Sequence, residues 1–184
     1  FNQPMVSDPQ IDALFTADND DNELFARGKS VHAQISAIGF LGKSALWDGG
    51  NWLAEVAWHR RVDVTKNRAA IDPATDRSAL AFRGVFTMDY YQVLPNLDLS
   101  VPIGIGYNPI GRSSVILNFN GGAYHGGDFS VGLNARYDKV WLLSAQYVNL
   151  FAFLTPPNSP APVLSNAQTL DDRDFISVSV QRTF

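Results

Sequence analysis

One pattern limits the possible folds of this chain more strongly than any other: apolar and polar residues alternate with a period of two along most of its length. Successive side chains of a β-strand point to opposite faces of the sheet, so the alternation predicts strands with one apolar and one polar face. Helical periodicity is hard to find. The alternating segments span approximately residues 31–41, 52–64, 82–90, 97–107, 129–137, 141–147 and 176–184. The chain is therefore predicted to be all-β, with seven strands.

The length of these segments favours a membrane protein. Many of them run for about 10 to 15 residues, whereas strands of soluble domains are mostly about 5 to 6 residues long. A tilted strand needs about 9 to 11 residues to cross the hydrocarbon layer. Strands can cross it only in a closed sheet, because lipid offers no partner to a backbone group at a sheet edge. We therefore predict an antiparallel up-and-down transmembrane β-barrel.

The connections between the predicted strands alternate in length. Short links fall at 42–50, 94–96 and 138–139, and long links fall at 66–77, 108–127 and 152–173. Outer-membrane barrels combine short periplasmic turns with long external loops. If the last strand ends at the periplasmic face, all three short links lie there and all three long links lie outside. Alternation within the second long loop, at residues 115–120, is interpreted as a hairpin inside that loop.

Seven is an odd number, so if the last strand ends at the periplasmic face, the first strand also runs from the outside to the periplasmic face. Bacterial single-chain barrels have even strand numbers. We therefore expect the chain to be the C-terminal portion of a larger barrel in the bacterial outer membrane, with about seven strands and long external loops. In this interpretation residues 1–27 are an external loop or segment before the first strand, and residues 28–184 are the C-terminal part of the barrel.

Composition excludes several functional classes. The chain is 46% apolar and 12% aromatic, which is too apolar for a disordered protein. The absence of cysteine rules out disulfides, thiolate metal sites and cysteine nucleophiles. A net charge of −4 argues against a nucleic-acid partner, because phosphate binding needs a concentrated basic surface. No apolar run is long enough for a transmembrane helix.

The polar faces of the predicted strands supply the candidate functional residues. In a barrel these side chains line the lumen, where they either border a passage for cargo or contact water and a plug. They carry both signs of charge. The predicted lumen-lining residues are Glu55, His59, Arg61, Asp63, Arg83, Asp89, Asp98, Asn134 and Arg136.

The apolar faces carry aromatic residues near their ends, as the interfacial girdles of membrane barrels do. The predicted lipid-facing and girdle residues are Trp52, Trp58, Tyr90, Tyr107, Tyr137, Trp141, Tyr147 and Phe184. Arg60 and Arg182 share the lipid-facing parity, so both should lie near strand ends, where a charge is tolerated. We expect Arg60 to contact lipopolysaccharide phosphate.

Four stretches of the sequence carry a family resemblance: residues 50–58 (GNWLAEVAW), 91–104 (YQVLPNLDLSVPIG), 127–134 (GDFSVGLN) and 172–180 (DRDFISVSV). They resemble a proteobacterial outer-membrane β-barrel family known only as a domain of unknown function. The resemblance implies larger outer-membrane proteins with a signal peptide. It also implies neighbouring genes for proteins similar to periplasmic lipid carriers and RND-type exporters, and it implies no catalytic residues.

Catalytic and metal-binding motifs are weak in this sequence. His32 and His59 lie on polar strand faces, and no Gly-x-Ser-x-Gly elbow accompanies them. The acidic run at 18–23 lacks the glycine of a calcium loop. We therefore expect no enzyme, no cofactor and no metal.

Three functions remain open. The first is transport or envelope trafficking of hydrophobic or lipid-like molecules, and its cargo class comes from the family resemblance alone. The second is a non-specific pore or a structural, partner-binding outer-membrane barrel. The third is a soluble β-barrel or sandwich that binds a ligand. The expected partners are outer-membrane lipid and lipopolysaccharide, with a periplasmic carrier or exporter implied by the resemblance. The sequence leaves the oligomeric state open.

Overall fold

The computed structural model describes residues 2–7, 25–116, 119–121, 124–152 and 172–183. Eight strands form a single sheet in chain order, and every strand is antiparallel to the next. The strands are β1 (Asn2–Pro4), β2 (Arg27–Leu41), β3 (Gly49–Lys66), β4 (Ser78–Leu94), β5 (Leu97–Ile110), β6 (Gly126–Tyr137), β7 (Trp141–Ala152) and β8 (Phe175–Arg182). Short 3₁₀ helices follow β3 at Arg68–Ala70 and β5 at Phe119–Gly121.

This arrangement confirms the prediction of an all-β chain with an antiparallel up-and-down sheet. Strands β2 to β8 correspond to the seven predicted segments, and β1 is a short addition that pairs with Arg27–Lys29 of β2. The sheet is not closed: β1 and β8 lie at its two edges in the part of the chain that the structure describes. Closure into a barrel therefore stays a prediction.

Tight turns explain the short connections. Pro95 and Asn96 alone separate β4 from β5, and Asn96 has a φ of 64°, the left-handed conformation that asparagine tolerates well. Asp138 and Lys139 follow β6 with φ values of 52° and 59°. Two consecutive left-handed residues match the right-handed twist of neighbouring strands. We call this end of the sheet the turn end and the opposite end the loop end.

The strand register sorts side chains between the two faces. Residues directly opposite each other in neighbouring strands point to the same side of the sheet. One row is apolar and crosses six strands through Trp52, Phe86, Ile103, Val131, Tyr147 and Ile176. A row on the other face is polar and consists of Asp89, Ser100, Asn134, Ser144 and Ser179. The two faces therefore keep opposite chemistry from strand to strand.

The apolar face is exposed. Ile35 is 77% exposed and Val178 is 74% exposed, values that are unusual for large aliphatic side chains. Among the described residues, the strands make their main contacts with their sheet neighbours, and β4 and β5 also contact the 3₁₀ helix at 119–121. The small buried apolar cluster lies at the loop end and consists of Met5, Ala26, Ala70 and Val115, flanked by Val64 and Ile71.

The predicted hairpin at residues 115–120 is wrong. Residues 114–116 form a bend and Phe119–Gly121 form a 3₁₀ helix, while residues 117 and 118 lie outside the described part. The reason is local hydrogen bonding: the Ser113 hydroxyl accepts the N–H groups of Val115 and Ile116 at 3.2 and 2.8 Å. A side chain that satisfies nearby backbone donors competes with strand pairing.

In the described residues, no helix is long and apolar enough to cross a membrane.

Candidate functional site

The register brings most of the predicted lumen residues onto the polar face. Glu55 lies opposite Arg83, and His59 lies opposite His32 and Ala79. Asp89 and Asn134 share a row through Ser100, and Asp98 lies opposite Arg136. Arg61 lies opposite Ser30 beside His59.

Asp63 departs from this row. The register of β2 and β3 shifts between Lys29 and Ser30, so Asp63 lies opposite Lys29 rather than opposite a polar-face residue. A β-bulge of this kind reverses the alternation beyond it. As a result Val64 packs against the buried cluster, and the exposed Asp63 carboxylate accepts a hydrogen bond from Arg68 at 3.1 Å.

Arg83 connects three strands on the polar face. Its guanidinium extends from β4 across Gly106 of β5 and forms an ion pair with Asp128 of β6. A Cβ atom at Gly106 would lie 2.6 Å from Asp128 Oδ1 and 2.8 Å from Arg83 Nη2, so only glycine leaves room for this pair. Arg83 Nε also donates to Asn120 Oδ1 at 3.0 Å. The polar face is therefore tied to the 3₁₀ helix at 119–121.

Two asparagines add hydrogen bonds between the strands and the 3₁₀ helix at 119–121. Asn120 Nδ2 donates to Asn108 Oδ1 at 2.9 Å and to the carbonyl of Phe82 at 3.3 Å. Asn108 is buried in β5, and its Nδ2 donates to the carbonyls of Phe119 and Asn120 at 3.4 and 3.3 Å. Asn120 adopts the left-handed conformation with a φ of 47°. Residues 119–121 are thus held over the polar face of β4 and β5.

His59 is the most enclosed predicted residue. Its side chain is 1% exposed, and Nε2 lies 2.9 Å from Ser113 Oγ. The Phe119 ring meets the imidazole edge-on with a centroid distance of 4.6 Å, and the His32 ring lies 5.8 Å away. Within the described residues, His59 Nδ1 has no hydrogen-bond partner. The His59–Ser113 contact joins β3 to the covering segment, and the Ser113 oxygen already accepts two backbone N–H groups.

The loop after β3 and the loop after β5 are joined to each other at Asp76 and Arg112. Arg112 Nε donates to Asp76 Oδ2 at 2.9 Å, its backbone N–H donates to the same oxygen at 2.8 Å, and Nη2 donates to Oδ1 at 3.3 Å. Burial tends to raise the pKa of Asp76, but the hydrogen bonds and positive charge of Arg112 outweigh it and hold the pKa below its ordinary value. The Arg112 guanidinium also lies over the Tyr124 ring at 5.3 Å.

The N-terminal residues complete the cover. Val6 N–H donates to the carbonyl of Ser114 at 3.1 Å, and Asp72 N–H donates to the carbonyl of Val6 at 3.1 Å. Met5 enters the buried cluster between Ala70 and Val115. Three segments that are distant in sequence therefore meet over the polar face at the loop end. We call residues 5–7, 70–76, 112–116 and 119–121 the cover.

The remaining polar residues lie outside the cover. Asp98 accepts the Gln92 N–H at 2.8 Å where the register of β4 and β5 shifts at the turn end. Arg136, Gln146 and all described residues of β8 are exposed. Among the described residues, the polar face is thus covered over β2 to β5 at the loop end and open over β6 to β8.

The predicted girdle residues share the apolar face by register, as far as they are described. They are Trp52, Trp58, Tyr90, Tyr107, Tyr137, Trp141 and Tyr147. Phe184 lies outside the described residues. Tyr137 and Trp141 stand at the turn end, where Arg182 lies over the Trp141 ring at 5.1 Å. Tyr107 stands at the loop end, with its ring centroid 6.4 Å from that of Phe151.

Sequence reasoning missed the residues that build the cover. Ser113 and Asn120 lie in the second long loop, outside the strands, so strand parity does not orient their side chains. Asn108 follows Gly106 by two residues on the polar parity of β5, and Asp128 shares the polar parity of β6 with Ser130 and Asn134, so both could have been found. Among the described residues, no group of three or more acidic, histidine or cysteine side chains is arranged to hold a metal ion.

The family model described as "Protein of unknown function (DUF1302)" matches residues 1–184. The chain belongs to the DUF1302 family. No curated protein and no solved structure matches it. This DUF1302 chain therefore presents three structural features: an exposed apolar face, a polar face of mixed charge and a cover built from three segments.

Proposed function

We propose that the chain forms part of the wall of an outer-membrane β-barrel that takes part in transport or trafficking of hydrophobic or lipid-like molecules, without catalysis. Its apolar face contacts lipid and its polar face lines the lumen. The cargo class is supported by the family resemblance given above and by no individual residue.

The exposed apolar face is the observation that carries this proposal. Each large aliphatic side chain moved out of water gains about 1.5 to 3 kcal/mol. Many such residues, with Ile35, Leu133 and Val178 among them, are exposed on one side of the sheet. A soluble protein would cover this face with a second layer. Lipid hydrocarbon supplies the apolar surroundings that such a face requires.

The sheet edges support closure by further strands. Because β1 pairs only with residues 27–29 of β2, the long strands at the two edges are β2 and β8. Antiparallel neighbours alternate in direction, so β2 and β8, six steps apart, run in the same direction. They cannot pair antiparallel with each other. An all-antiparallel sheet can close between these two strands only if an odd number of further strands lies between them. Together with the seven long strands, this gives an even total. Even totals are the rule for bacterial single-chain barrels.

The cover favours a restricted passage over a wide one. It fills the polar side of β2 to β5 at the loop end, where Arg83, Asn108 and His59 fasten it. A transporter with a plugged lumen has this arrangement. The open polar surface over β6 to β8 favours the second candidate, a non-specific pore or a structural, partner-binding barrel.

Site-directed spin labelling tests the orientation of the two faces. The chain has no cysteine, so each introduced thiol gives a unique label. The variants Val131→Cys and Leu133→Cys report on the apolar face, and their chain neighbours Ser130→Cys and Asn134→Cys are the matched controls on the polar face. In phosphatidylcholine vesicles the first pair should be accessible to oxygen, and the second pair should be accessible to a water-soluble nickel chelate.

Two results would contradict the proposal. Equal access of the nickel chelate to all four labels would mean a soluble protein, and the reversed pattern would mean an inward apolar face. Planar-bilayer recording of the full chain then separates the two candidate functions. A steady open conductance favours the pore, whereas a silent bilayer favours the plugged transporter.

A further inference from the structure

Basic residues concentrate at the loop end of β2 and β3. Residues 27–29, 60–77 and 112 contain eight Lys and Arg side chains against three Asp, although the whole chain has 14 basic and 18 acidic residues. At the turn end, residues 42–48, 89–98, 136–141 and 182 contain four of each sign. The loop end of β6 to β8 carries Asp128, Asp172 and Asp174, so the basic surface is confined to the side of β2 and β3.

Three of the eight basic side chains make side-chain contacts within the protein. Arg68 pairs with Asp63, and Arg112 pairs with Asp76. Arg77 donates to the carbonyls of Arg61 and Val62 at 3.0 and 2.8 Å. By contrast, Lys29, Arg60 and Lys66 are exposed and have no hydrogen-bond or ion-pair partner in the described part of the chain.

The position of Arg60 relates this charge to the apolar face. Arg60 lies opposite Val31 and Ser78, two residues beyond Trp58 on the same side of β3. The order along the strand is thus an aliphatic stretch, then an aromatic residue, then a cation. Aromatic residues lie at the level of lipid headgroups, and cations beyond them reach the phosphates.

Lys29 and Lys66 extend the basic surface around Arg60. Lys29 precedes Val31 by two residues in β2, so it lies on the same face as Val31 and diagonally across the β2–β3 pair from Arg60. Lys66 lies opposite Arg27 at the end of the same strand pair. Three cations on two neighbouring strands match a ligand with more than one phosphate.

We propose that Lys29, Arg60 and Lys66 form a binding site for the phosphate groups of a phosphorylated membrane glycolipid at the loop end of the apolar face. The inference rests on the proposed function, because it needs this face to lie in a membrane. The lipid source fits better than free phosphate, since the cations adjoin the apolar stretch that would contact the acyl chains.

Lipid-dependent stabilisation of the full chain tests the site. The protein is reconstituted in vesicles of phosphatidylcholine and in vesicles of phosphatidylcholine with lipid A, a glycolipid that carries two phosphates. Its affinity for lipid A is measured by titration of the unfolding midpoint. The variant Lys29→Gln/Arg60→Gln/Lys66→Gln removes the site. The variant Lys43→Gln/Lys139→Gln/Arg173→Gln is the control, because it removes the same charge away from the loop end of β2 and β3.

We expect lipid A to stabilise the wild type and the control. The site variant should bind lipid A about 100-fold more weakly, because each cation near a membrane surface contributes about 1 kcal/mol. Equal weakening in both variants would indicate a general charge effect and overturn the site. Stabilisation by inorganic pyrophosphate in phosphatidylcholine vesicles would assign it to free anions instead.

Two further outcomes separate this inference from the proposed function. If the chain inserts into phosphatidylcholine but lipid A shifts nothing, the glycolipid site is wrong and the barrel proposal stands. If the chain inserts into neither vesicle, the barrel proposal fails. A loss of stability in phosphatidylcholine alone, confined to the site variant, would mean that the three cations pair within the protein, and would also overturn the site.

Discussion

Arg112 and Asp76, which are 36 residues apart in two different loops, are joined by three hydrogen bonds from Arg112 to the Asp76 carboxylate. Both side chains are only partly exposed. Asp76 N–H in turn donates to the carbonyl of Arg112 at 2.8 Å, so the contact includes the backbone in both directions. This joint holds the loop after β3 against the loop after β5 and thereby fixes the cover over the polar face.

The variant Asp76→Asn should loosen the cover. The amide keeps the size of the carboxylate but loses its charge and one acceptor oxygen, so we expect a loss of about 1 to 2 kcal/mol in the free energy of unfolding. Urea unfolding in phosphatidylcholine vesicles measures it. Asp172→Asn is the control, since Asp172 is exposed and its ion pair with Arg173 is 3.8 Å long. Equal losses in both variants would contradict the role of the joint.

The same joint should respond to acid. Because the folded-state pKa of Asp76 lies below its ordinary value, its contribution to stability is fully present above about pH 4, the ordinary aspartate pKa. It is lost as the pH falls through the folded-state pKa. Other aspartates titrate too, so the quantity to measure is the stability difference between wild type and Asp76→Asn. That difference should shrink below about pH 4, and a difference that stays constant into stronger acid would refute the prediction.

Periodicity was sufficient to predict the strands, for a physical reason. A sheet with chemically distinct faces must repeat every second residue, and a shift of one residue would exchange the faces. Leu133 and Asn134, for example, are neighbours in sequence and lie on opposite faces by register. The turn at Pro95 and Asn96 was equally readable, because local turn chemistry decides it.

The cover could not be predicted because its contacts are not periodic. Ser113 reaches His59 across 54 residues, and Arg83 reaches Asn120 across 37. Nothing in the local sequence specifies such pairs. Asp63 shows that strand parity also has a limit. Strict alternation places Asp63 on the polar face, but a β-bulge beside Lys29 shifts the register and takes Asp63 out of the polar row. Bulges are set by local pairing, which alternation alone does not reveal.

The variant Ser113→Ala should weaken the covering segment more than the sheet. It removes the partner of His59 Nε2 and the acceptor for two backbone N–H groups, in a region that is buried at His59 and Val115 and partly buried at Ile116. Unsatisfied buried groups cost about 1 to 3 kcal/mol. We expect faster protease cleavage between residues 112 and 124 and a higher bilayer conductance than the wild type. Ser130→Ala, on the polar face outside the cover, should change neither; an unaltered cleavage rate in Ser113→Ala would refute the prediction.

Gly106 and Asp128 should act through the same ion pair. A Cβ atom at position 106 would crowd Asp128 Oδ1 and Arg83 Nη2, both at the ends of flexible side chains, so Gly106→Ala should displace the pair and leave the backbone in place. Asp128→Asn weakens the pair directly, and each variant should lose about 1 kcal/mol, because Arg83 is half exposed. The double variant should then cost little more than either single one, since interacting sites are not additive.

Gly42→Ala is the control, because a methyl group there meets no atom within 4 Å. Urea unfolding of the three variants completes the cycle, and fully additive losses would show that Gly106 is needed for another reason.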